Sequence, residues 1–145
     1  MHLNLVQPDG KYAPSPLIDL TDADARAALS KGAVDAFFNI MSVWGVRDTD
    51  ARALLGNPSN GAFYALKKGQ GKPLDEDRMR RVSYLVGIFK ALNILHAQDL
   101  ADRWMGLPNS GRIFAGQPPL AYLIKGGLPA FATVRRLLDA RRGGQ

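Results

Sequence analysis

The sequence predicts an all-α fold. Three observations carry that reading. Apolar residues recur at intervals of three and four in several segments, no segment alternates apolar and polar residues, and glycine or proline closes most helical stretches before the next opens. The pattern predicts about seven or eight helices, with a long one joining an N-terminal group to a smaller C-terminal group.

Pro8, Gly10, Pro14 and Pro16 interrupt any period over residues 1–20, which read as a mobile arm or a segment laid against a partner. Thr21 offers an N-cap hydroxyl, with Asp22 and Asp24 in the first turn, and Gly32 is the expected stop of that short helix. Val34, Phe37, Phe38, Met41 and Trp44 then form one apolar stripe ending at Gly45. Asp48 or Thr49 caps a brief third helix with Ala51, Leu54 and Leu55 inward and Gly56 as its stop. Ser59 caps a fourth, carrying Ala62, Phe63 and Leu66 and closed by Gly69. The longest helix runs from about Asp75 to His96, and Met79, Val82, Leu85, Val86, Phe89, Leu92 and Leu95 give it a stripe wide enough to pack on two sides. Beyond residue 97 short helical pieces alternate with Gly and Pro. Pro129 suits the first turn of a last helix whose inner face is Phe131, Val134, Leu137 and Leu138.

Composition narrows the function. The 145 residues contain no cysteine, which excludes disulfides, thiolate metal sites and a cysteine nucleophile. No apolar run approaches the roughly 20 residues of a membrane span and no secretory signal pattern opens the chain, so a soluble, cytoplasmic protein is expected. The net charge of +6 is unevenly spread: residues 31–72 carry net +3 and residues 125–145 net +4, whereas residues 1–30 carry net −2. Two separate basic regions suggest two anionic partners.

Residues 49–69 have the layout of a helix-turn-helix, a short helix, a Gly-containing turn and a second helix bearing cations. Reading DNA needs small or polar side chains at the front of a helix and cations for phosphates. Ser59, Asn60 and Tyr64 supply the first requirement, Lys67 and Lys68 the second. Two amphipathic helices with a solvated lysine pair would show the same layout.

The C-terminal stretch is more specific. Trp104, the Leu107-Pro108-Asn109 step, Gly116, Pro119-Leu120, the Gly126-Gly127 pair, and Val134 and Leu137 before the closing Arg-Gly-Gly occur in an order and spacing that resemble the toxin-binding domain of the Xre/MbcA/ParS antitoxin family. Residues 33–96 are similar to the Xre-type helix-turn-helix that precedes it, and the chain departs from that pattern at Asn57-Pro58-Ser59-Asn60, where it is one residue longer. The resemblance implies three parts: an arm over 1–20, an Xre-like DNA-binding domain over 21–96 and a toxin-binding domain over 97–145.

It further implies an antitoxin that neutralises a RES-domain toxin by covering that toxin's NAD pocket and represses its own operon. Partners would be the toxin, operator DNA and a second copy, in a homodimer or a larger hetero-oligomer with the toxin. The basic tail fits such a role independently, because a pocket for pyrophosphate should accept cations: Arg135, Arg136, Arg141 and Arg142, followed by Gly143. A solvated helix end is the plain alternative for each arginine.

No catalytic set, metal site or cofactor motif is read from the chain. His96 and Asp99 are the only His–carboxylate pair at helical spacing, and no third group joins them. Trp104 suits an intramolecular anchor better than an interface contact, and Pro118-Pro119 suits a rigid helix start. The other functional reading is a stand-alone helix-turn-helix regulator whose C-terminal domain dimerises.

Overall fold

A computed structural model describes residues 19–143. Among them are seven α-helices and no strand: α1 Ala23–Trp44, α2 Asp48–Leu54, α3 Asn60–Lys67, α4 Glu76–Leu95, α5 Gln98–Arg103, α6 Pro119–Gly126 and α7 Leu128–Arg142. A single 3₁₀ turn, Trp104–Gly106, follows α5. No helix among the described residues is long and apolar enough to cross a membrane. Most of the expected arm, residues 1–18, lies outside the described residues, as do Gly144 and Gln145.

α1 is one helix of 22 residues where the sequence suggests two. Gly32 does not stop it. A mid-helix glycine costs roughly 1 kcal/mol relative to alanine, but Ser30 before it and Val34, Phe37, Ile40, Met41 and Trp44 after it are buried along one face. Packing along that face holds the helix through the weak point. Its cap also differs: Asp22 accepts the N–H of Asp24, while the Thr21 hydroxyl donates to Asp19. Gly45 ends the helix in the left-handed region, at φ 68°, as its position suggests.

α2 and α3 keep the expected inner faces, Ala51, Leu54 and Leu55 in one case and Phe63 and Leu66 in the other. Ala62, expected inside, is exposed. The unusual turn between the two helices has a local cause. Gly56 and Asn57 both take positive φ, 90° and 57°, and Arg52 Nη1 donates to the carbonyl of buried Pro58 at 2.8 Å. Asparagine tolerates that conformation better than other side chains.

α4 packs against α7 on one side and α1 on the other. Ile88 and Ala91, absent from the sequence-level stripe, are fully buried because the helix is enclosed on both faces. Phe38 of α1 meets Phe63 of α3 at 5.4 Å between ring centroids, and Trp44 meets Phe89 of α4 at 6.1 Å. Trp104 lies edge-on to Phe114 at 5.8 Å, and Phe114 edge-on to Tyr122 of α6 at 5.5 Å. The buried residues from Val34 to Leu138 form one cluster.

Candidate functional site

The side chains expected to read DNA do not all share a face. Ser59 uses its hydroxyl to cap α3, accepting from the Ala62 N–H at 3.1 Å, and lines a cleft of about 500 Å3 between α3 and the α3–α4 loop. Asn60 and Tyr64 lie on the other side. They line a cleft of about 250 Å3 with Phe63 and with Asp48, Thr49 and Arg52 of α2. Tyr64 is well exposed, its ring edge-on to buried Phe63 at 5.3 Å. Lys67 reaches back to α2, where its Nζ lies 2.8 Å from Asp48 Oδ1. Lys68 is exposed and makes no ion pair among the described residues.

The α2 contribution escapes the sequence reading. There Asp48 and Thr49 serve as alternative caps, yet the residue at the cap position is Arg47, with no side-chain hydrogen bond. Asp48 starts the helix itself and faces α3. Arg52 joins the cleft while anchoring the turn at Pro58.

The arginines of α7 divide in the same way. Arg135 Nε lies 2.9 Å from Asp139 Oδ2, and Arg142 Nη1 lies 3.6 Å from Asp139 Oδ1. Arg135 also runs across α4 at Gly87, lining a cleft of about 480 Å3 with Leu29, Met79, Val86 and Lys90. Arg136 approaches Thr133 Oγ1 at 3.4 Å, and Arg141 makes no ion pair among the described residues. Gly143 is exposed and donates to the Asp139 carbonyl at 3.1 Å. Among the described residues, Arg136 and Arg141 are therefore the arginines of this helix without a carboxylate partner.

Arg81 is a structural residue that no motif announces. It pairs with Asp77 at 2.9 Å, donates to the Leu54 carbonyl at 3.3 Å and lies over the Phe131 ring at 5.7 Å, so one side chain ties α4 to α2 and α7. One of three arginines near the start of α4, with Arg78 and Arg80, it gives no sign of such reach in the sequence. His96 is half-buried at the end of α4, and Asp99 pairs with Arg103. Among the described residues no three His, Cys, Asp or Glu side chains converge.

Several of the C-terminal residues singled out in the sequence have a structural role. Trp104 is buried, Asn109 Oδ1 accepts the Gly111 N–H at 2.8 Å, and the Asn109 carbonyl accepts from Gly116 at 2.9 Å. Gly116 takes φ 84°, Pro119 opens α6, and Gly127, at φ 65°, joins α6 to α7.

Comparison with known proteins adds one relative. No family model matches the chain, and no solved structure matches it. The protein is 37% identical over 112 residues to the uncharacterized protein y4oB of Sinorhizobium fredii, an alignment covering 77% of this chain and 84% of that protein.

Proposed function

This chain belongs to the same family as protein y4oB of Sinorhizobium fredii, and we propose that it is the antitoxin of a type II toxin–antitoxin pair. It binds a RES-domain, NAD-consuming or ADP-ribosylating toxin through residues 97–145, covers the NAD pocket, and represses its operon through the α2–α3 pair. It needs no cofactor and acts in the cytoplasm, as a homodimer or within a larger complex with the toxin.

One observation carries the reading: the residues that resemble the toxin-binding domain are the ones that shape this half of the chain, from buried Trp104 to Gly116 and Gly127 at positive φ. The same residues scattered over the surface would have weighed against it. In this mechanism Arg136 and Arg141 meet the pyrophosphate subsite, because Arg135 and Arg142 are already held by Asp139. That internal pairing also favours a second reading, a stand-alone regulator whose C-terminal half only dimerises.

The test is co-purification with the product of the neighbouring reading frame, followed by NAD consumption with intact and Arg136→Ala/Arg141→Ala protein. Removing a charged hydrogen bond to the toxin should cost about 1.5–3 kcal/mol, so the double variant should inhibit roughly a hundredfold less well. Equal inhibition would place the block elsewhere in residues 97–145. No co-purifying partner, together with tight promoter binding, would favour the stand-alone regulator.

A further inference from the structure

Lys67 is the α3 cation that reaches α2, and its ammonium is already occupied. It donates to both carboxylate oxygens of Asp48, at 2.8 and 3.0 Å, across nineteen residues of sequence. The two side chains are 45% and 39% exposed, so an incoming anion can reach either of them. Asp48 also borders the cleft shared by Thr49, Arg52, Asn60 and Tyr64. A phosphodiester approaching Lys67 beside that cleft therefore meets a cation already paired with a carboxylate.

We propose that Asp48 is an internal stand-in for a backbone phosphate. It holds Lys67 in place in the free protein and is displaced by duplex DNA on binding. The inference rests on the DNA-binding part of the function above. Its physics is an exchange of partners. An exposed ion pair is weakly held, so phosphate can replace the carboxylate. The exchange breaks the Lys67–Asp48 pair whichever duplex binds, so its loss opposes every duplex alike. Phosphate contacts carry no sequence information directly, so the opposition lowers attachment to bulk DNA. What binding remains depends more heavily on Asn60 and Tyr64 at the base edges.

The balance of charge gives the experiment. In the wild-type chain Lys67 brings Asp48 with it, and the two together neutralise no net phosphate charge. Asp48→Asn leaves the whole cation for DNA. Binding of a promoter duplex and of an unrelated duplex should both tighten by up to roughly fivefold at low salt, the size expected for one freed surface charge. The slope of log affinity against log salt should steepen by about one unit. Asp48→Ser, which keeps a residue suited to a helix start, should do the same, and melting curves confirm that both variants fold.

The decisive comparison uses Lys67→Met. If Asp48 acts through Lys67, the gain from Asp48→Asn disappears in that background. An equal gain in both backgrounds overturns the inference, since Asp48 would then repel DNA generally. Unchanged affinity in folded Asp48→Asn and Asp48→Ser proteins overturns it as well while leaving DNA binding intact. Absence of binding by wild type and variants alike, at low salt, sinks the DNA-binding reading itself.

Discussion

The guanidinium of Arg135 lies over the backbone of Gly87, so close that a Cβ at Gly87 would collide with Arg135 Nη1. The bare backbone of α4 is the seat of an α7 side chain. Gly87 sits mid-helix without an unusual φ, so its missing side chain, and not its backbone freedom, is what the packing uses.

A double-mutant cycle tests this relationship. In an Arg135→Ala background, Gly87→Ala should stabilise by about 1 kcal/mol, the ordinary helix-propensity gain. With Arg135 present the gain should vanish, because the guanidinium must swing away and loosen its pair with Asp139. Denaturant unfolding of the four proteins measures it. Additive values would mean that Arg135 does not rest on Gly87 in solution.

Trp104→Ala should destabilise the fold by about 3–5 kcal/mol, the usual range for a buried tryptophan. The indole is 6% exposed and supports Phe114, which in turn supports Tyr122. Thermal melting reads the loss, and lowered cellular abundance should accompany it. An unchanged melting temperature combined with failure to bind the partner would make Trp104 an interface residue instead.

Asp19 carries a pH signature. The Thr21 hydroxyl, donating at 2.5 Å, and the Thr21 N–H, at 2.9 Å, hold its pKa below the usual carboxylate value, with a smaller contribution from Arg80. A lowered folded-state pKa stabilises above the ordinary carboxylate range, and that contribution is lost as pH falls through the lowered value. Thr21→Ala should therefore raise the Asp19 pKa toward normal in an NMR titration. No rise would mean that the hydroxyl does not donate to it.

What sequence can deliver follows the range of each interaction. The stripe Val34, Phe37, Met41, Trp44 and the cap at Ser59 are local patterns, and α1 and α3 carry them as read. Gly32 misleads because its local propensity opposes a helix that packing on either side of it sustains. The Arg135–Asp139 pair is legible in its four-residue spacing, and with it the warning that Arg135 is not free. Lys67 with Asp48, Arg81 with Leu54 and Arg135 with Gly87 join residues 19, 27 and 48 positions apart, and no local pattern announces them.

Phe37, Leu54, Ile88, Met105 and Leu138 lie in one buried cluster, so helices α1 to α7 share one core. Opening that cluster at α7 is expected to uncover its α1 and α4 side as well. Amides of Phe37 and Leu138 should then exchange with solvent through the same rare global opening.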